Sequence, residues 1–107
     1  MSFYIKENDT TPSIRATLKN GNDVAVDLTN ATVRFHMRKF GKTSALVDAA
    51  AVIINAESGV VQYNWIASDT TATGSFQAEF EVTYPDSQIE TFPNSDFIRI
   101  TITDDIT

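Results

Sequence analysis

The stretch Thr32-Val33-Arg34-Phe35-His36-Met37-Arg38-Lys39 decides the fold. Val33, Phe35 and Met37 fall on every second residue, and Arg34, His36 and Arg38 fill the positions between. Successive side chains of a strand point to opposite faces of its sheet, so a period of two describes a strand with one face in a core and the other in water. A second stretch repeats the pattern: Phe76, Ala78, Phe80, Val82 and Tyr84 alternate with Gln77, Glu79, Glu81 and Thr83 between Ser75 and Tyr84. A helix would scatter these residues around its circumference.

Working outward from the two stretches, the same reading fills the chain. From Ser13 to Lys19, Ile14, Ala16 and Leu18 share a face, and Asn20-Gly21-Asn22 tolerates positive φ and turns the chain into a short strand over Asp23 to Leu28. Leu46 to Ala56 reads as a strand because Val52-Ile53-Ile54 outweighs the helix-tolerant run Ala49-Ala50-Ala51. After the turn Glu57-Ser58-Gly59, Val61, Tyr63 and Trp65 share one face of the strand from Val60 to Ile66. Asp69 and Thr70 can bond nearby backbone, which makes Ala67 to Gly74 a corner or a single helical turn. Pro85-Asp86-Ser87-Gln88 is a turn, Ile89 to Phe92 a short strand stopped by Pro93, and Ile98, Ile100 and Ile102 line one face of Phe97 to Thr103. Seven or eight short strands separated by turn residues predict an all-β, two-sheet antiparallel sandwich with no crossover helix.

Composition agrees. Val, Ile and Thr number 8, 10 and 14 against three Leu, a balance that suits a pleated surface and not a helix. The 107 residues hold enough for one core, so residues 1–107 are expected to form a single domain. No apolar run approaches the roughly 20 residues of a membrane span, and the N-terminus lacks the basic and apolar regions of a secretory signal. Without cysteine there is no disulfide framework or thiolate chemistry. Residues 1–53 carry seven basic and five acidic side chains, whereas residues 54–107 carry Arg99 and nine acids, giving a net charge of −6. A chain of this charge is repelled by phosphate backbones and anionic lipid, so a protein partner is expected and nucleic acid and membrane are not.

The residues that could carry chemistry are few. His36 is the one imidazole, expected to be solvated on an open strand face between Arg34 and Arg38, whose charges would lower its basicity. The carboxylate pairs Glu79/Glu81 and Asp104/Asp105 fall on an outward strand face and in a terminal segment, not in the desolvated cleft that acid catalysis needs. Asp9, Asp23 and Asp27 could offer oxygens to calcium, but their spacing fits turn-capping better. Gly21, Gly41, Gly59 and Gly74 lie far apart, each at a turn, and form no phosphate-binding loop. No catalytic residue, cofactor-binding residue, metal ligand or cofactor is therefore expected, and the chain does not read as an enzyme.

Several segments together resemble the immunoglobulin-like N-terminal domain of phage baseplate upper proteins, a family of tail components. They are Asp27-Leu28-Thr29-Asn30-Ala31-Thr32-Val33 with Phe35-His36-Met37-Arg38, then Val47-Asp48-Ala49, Gly59-Val60-Val61-Gln62-Tyr63-Asn64-Trp65, Asp69-Thr70 through Gly74, Phe76, Ala78 to Val82, and Thr91-Phe92-Pro93. They occur in order from about Ile5 to Ile102. The resemblance implies an immunoglobulin-like sandwich that serves as a non-enzymatic structural or assembly module of a phage or prophage particle, in the tail or baseplate. Such a module acts through contacts with other virion proteins, with a homo-oligomer formed on assembly as a further option, and is made and assembled in the bacterial cytoplasm. It also places Phe76 where immunoglobulin-like folds carry a corner tyrosine, keeping the packing and losing the hydroxyl's hydrogen bond.

The implied topology sets Thr32–Lys39 beside Ser75–Tyr84, and that strand beside Phe97–Thr103. Glu79 and Glu81 should then pair with Arg34, Arg38 and Arg99, and Trp65, Phe35, Phe80 and Ile100 should share one core. The alternative function is a carbohydrate-binding or adhesin-type module contacting the host surface. It would draw its aromatic platform from Tyr4, Phe40 and Phe92, each expected to be buried at an end of the sandwich.

Overall fold

The computed structural model describes residues 1–106. Among the described residues, nine strands are arranged in two sheets: β1 (Ser2–Lys6), β2 (Ile14–Thr17), β3 (Thr32–Lys39), β4 (Val47–Ala50), β5 (Val52–Asn55), β6 (Val60–Tyr63), β7 (Gly74–Thr83), β8 (Ile89–Phe92) and β9 (Ile98–Thr103). The larger sheet runs β1-β9-β7-β3-β4, with β8 beside the far half of β7, and the smaller runs β2-β6-β5. The two amphipathic stretches pair antiparallel along their whole length, Val33 opposite Val82 and Phe35 opposite Phe80, and β7 pairs antiparallel with β9. The sandwich and its central strand order are as the alternation and the resemblance imply.

Three details differ from the sequence reading. β1 is a ninth strand, and it pairs with β9 in parallel, so the larger sheet is not purely antiparallel. Its local signal is two apolar residues, Phe3 and Ile5, and its partner is almost the whole chain away. Leu46 to Ala56 is extended throughout but serves two sheets: β4 pairs β3, β5 pairs β6, and Ala51 stands between, its N–H bonded to Val33 O at 2.9 Å. Asp23 to Leu28 is not a strand; a single bridge, Lys19 to Ala25, joins it to the preceding segment. It instead crosses the turn at Gly59, bonding Val26 N to Leu18 O and Leu28 N to Ala56 O. The segment ahead of β7 is a single 3-10 turn, Ala67–Thr70, as one of its two readings expected.

The inward residues meet in one cluster. Phe35 is the hub, stacked on Tyr63 at 4.5 Å, edge-on to Trp65 at 5.5 Å and tilted against Phe80 at 5.2 Å. Trp65, Phe35, Phe80 and Ile100 do share this core. Trp65 is 4% exposed and its indole N–H has no partner among the described residues. Its fluorescence should therefore peak well to the blue of a solvated indole and move to the red on denaturation. An emission already at the solvated position in the native protein would contradict this packing.

Candidate interaction surfaces

The outer face of the larger sheet carries the charged side chains that the alternation pushes away from the core. Cross-strand register aligns Asp48 of β4, His36 of β3 and Glu79 of β7 in one row. His36 Nε2 lies 3.2 Å from Asp48 Oδ1, and Nδ1 lies 3.4 Å from Glu79 Oε2. The expected solvated histidine between two cations is thus a half-buried one between two carboxylates. Its neighbours along the strand are basic, but its neighbours across the sheet are acidic, and the lateral distances are the shorter ones. A neutral imidazole can donate to one of these carboxylates only, whereas a protonated ring donates to both. Both ring nitrogens thus face a carboxylate.

The expected arginine–glutamate pairs are replaced by other partners. Arg34 stands opposite Glu81 in register, yet its Nε donates to Asp48 Oδ1 at 2.8 Å and its Nη2 to the Asp48 carbonyl at 2.8 Å. That guanidinium, with a smaller contribution from His36, holds the Asp48 carboxyl below its ordinary range. Arg38 donates to Gln77. Arg99 lies over the rings of Phe40 and Phe97, 5.4 and 5.7 Å from their centroids. Beside the row, His36, Asp48, Glu79, Asp96 and Phe97 line an open groove of about 330 Å³.

Other sequence candidates have structural duties. Asp27 accepts the N–H and hydroxyl of Thr29 at 2.9 and 2.6 Å, the capping role expected of it. Asp23 reaches Lys19 at 3.8 Å, and Asp9 bonds through its backbone, its carbonyl accepting the Thr70 hydroxyl. Of the three aromatic candidates, only Phe92 is buried; Tyr4 is 67% and Phe40 49% exposed. Tyr4 falls between the inward Phe3 and Ile5 of β1, opposite half-buried Thr101, and Phe40 lies just past the end of β3, where its N–H bonds Ser75 O.

Phe76 is buried in β7 as expected, and the turn ahead of that strand is tied by a different tyrosine. The Tyr63 hydroxyl donates to buried Asp69 Oδ2 at 2.6 Å, and the same oxygen accepts the Ile66 N–H at 3.0 Å. Sequence reasoning gave Asp69 a backbone bond and missed Tyr63, since no spacing rule links a strand residue to a carboxylate around a corner. Burial first and Asp69 second raise the Tyr63 phenol well above its ordinary range. Burial and then Glu90, bonded at 2.8 Å, push the Tyr84 phenol up to about 12.

The two phenols set a pH dependence. Below the unfolded value near 10 both are neutral in either state, and their stabilisation is fully present. As pH rises beyond it, the unfolded chain releases protons that the folded protein retains, so stability falls toward the folded values. Denaturant titrations should show declining stability from about pH 10 upward, with phenolate absorbance of Tyr63 and Tyr84 delayed in the native protein. Ionisation of Tyr63 at the ordinary pH in folded protein would contradict the buried bond to Asp69.

The model of the BppU N-terminal domain matches residues 2–105. The chain belongs to the BppU N-terminal domain family. The BppU family is a structural component of the phage baseplate, which makes the chain a baseplate-type domain of the virion. Comparison with the curated proteins returns no match. Among solved structures the fold is similar to that of the crystal structure of CopC from Methylosinus trichosporium OB3b, with a TM-score of 0.55 at 11% identity. The similarity covers 99% of this chain and 87% of that one. At that identity the likeness supports the sandwich fold and nothing about chemistry.

Proposed function

We propose that residues 1–107 act as one immunoglobulin-like domain that joins other baseplate proteins through protein–protein contacts, without catalysis. The family match over residues 2–105 carries this reading. The surface is compatible with it. His36 is engaged by Asp48 and Glu79, and Asp69 by the Tyr63 hydroxyl and the Ile66 N–H. What the outer face offers is a fixed pattern of charge, which directs association more than it adds affinity.

The test is incorporation. Mass spectrometry of purified phage particles should find the protein in multiple copies, and deleting its gene should give particles with defective baseplates. Its absence from particles, with normal baseplates in the deletion, would overturn the proposal. A second reading, a saccharide-binding adhesin module, draws support from the exposure of Tyr4 and Phe40. It predicts retention on host cell-wall polysaccharide that is lost on replacing these two aromatics with alanine.

A further inference from the structure

The hydrogen-bonding of β1 points to a second copy of this chain. In its parallel ladder the Met1 carbonyl accepts from Arg99 N–H at one end, and the Glu7 N–H donates to the Thr103 carbonyl at the other. Backbone direction alternates along a strand, so Met1, Phe3, Ile5 and Glu7 turn both polar groups toward β9, and Ser2, Tyr4 and Lys6 turn theirs away. Among these outward groups, the Lys6 carbonyl accepts the Asp9 N–H at 3.2 Å. The N–H and C=O of Ser2 and Tyr4 and the N–H of Lys6 face outward with no strand beside them among the described residues.

The other edges are blunted. On β4 the outward Asp48 carbonyl is taken by Arg34 Nη2. On β8 the Thr91 carbonyl is taken by Asn94 Nδ2 at 3.0 Å. The register of β5 slips between Ile53 and Asn55, a bulge of the kind that spoils an edge, and β2 is a four-residue strand. β1 has five residues and no proline or bulge.

We infer that β1 pairs antiparallel with β1 of a second copy about a two-fold axis at Tyr4, joining the two larger sheets into one. The outward residues, 2, 4 and 6, are symmetric about position 4, so the edge is complementary to itself, as a two-fold interface requires. Tyr4 meets Tyr4 of the second copy in a hydrogen-bonded pair, and in each direction the Lys6 N–H donates to the Ser2 carbonyl, the Lys6 carbonyl staying with Asp9. The side chains agree with this register. The two exposed phenol rings lie against each other on the outer face, the uncharged Ser2 lies beside Lys6, and half-buried Phe3 meets buried Ile5 on the inner face.

The inference concerns the purified chain alone, so its failure leaves the baseplate reading untouched. Sedimentation of the wild type from micromolar to about 1 mM should show a monomer–dimer equilibrium. Tyr4→Pro removes an outward N–H and the exposed phenol while leaving the β1–β9 hydrogen bonds their donors and acceptors, and it should weaken dimerisation by about tenfold or more while native Trp65 emission is kept. Should that variant fail to fold, the pair Tyr4→Glu and Tyr4→Lys decides. Each alone sets like charges opposite each other and should be monomeric, and a mixture should restore a dimer containing one of each. A wild type that stays monomeric throughout, a dimer that survives Tyr4→Pro with native emission, or a mixture that does not re-form a dimer overturns the inference.

Discussion

Replacing Phe80 with alanine is expected to cost about 3–5 kcal/mol, a large share of the stability of a small domain. The side chain is fully buried in the middle of β7, with Phe35 of β3 opposite on one side and Phe92 of β8 on the other. Its ring lies 5.2 Å from that of Phe35, which in turn stacks on Tyr63 and meets Trp65 from the smaller sheet. Truncation therefore opens a void at the point where three strands of one sheet press on the other. The neighbours are held by their own ladders and can close it only in part, which places the cost in the upper range for aromatic truncation. Equilibrium denaturation in urea would measure the loss, and Phe80→Leu should recover part of it. A loss under about 1 kcal/mol would show that Phe80 is not packed as described.

What the sequence revealed follows the range of the forces involved. β3, β7 and β9 were legible because each alternates over six or more residues, and the alternation is itself the record of a buried face. β1 was not, since a parallel strand is defined by a partner that here lies near the opposite end of the chain. The change of sheet at Ala51 was hidden for a related reason: β4 and β5 have the same extended backbone, and only their partners differ. The environment of His36 was misjudged because the acids beside it arrive from β4 and β7, while the cations come from its own strand. Tyr63 and Asp69 show the opposite case, six residues apart yet joined by a corner whose geometry the residue types do not specify. Exposure of Tyr4 follows from its place between the inward Phe3 and Ile5, in a strand that only the distant β9 defines, and exposure of Phe40 from its position just past the end of β3.

Gly59 is where the largest backbone effect should appear. It adopts φ +68, and a Cβ there would lie 2.8 Å from the Val26 carbonyl oxygen and 2.9 Å from that of Leu18. Both obstacles are main chain: Val26 belongs to the layer that the Asp23 to Leu28 segment lays across the turn, and Leu18 to the segment that this layer bonds. Alanine would bear the left-handed penalty of roughly 1–2 kcal/mol and would also push that layer outward. Three bonds tie this region together around Gly59: Leu18 N–H to Gly59 O at 2.8 Å, Val26 N–H to Leu18 O at 3.0 Å, and Leu28 N–H to Ala56 O at 2.8 Å. Losing one of them, with its buried group unpaired, adds about 1–3 kcal/mol, so Gly59→Ala should destabilise by about 2–5 kcal/mol in all. Two other glycines separate the contributions. Gly41 has φ +83 but open space around it, so Gly41→Ala should lose only the conformational part, and Gly21, with neither constraint, should change by less than about 0.5 kcal/mol. Denaturation midpoints should therefore rank the variants Gly21→Ala, Gly41→Ala, Gly59→Ala in order of increasing damage. Equal effects at positions 41 and 59 would mean that the layer yields freely, and that Leu28 beneath it is not fixed by the contact at Gly59.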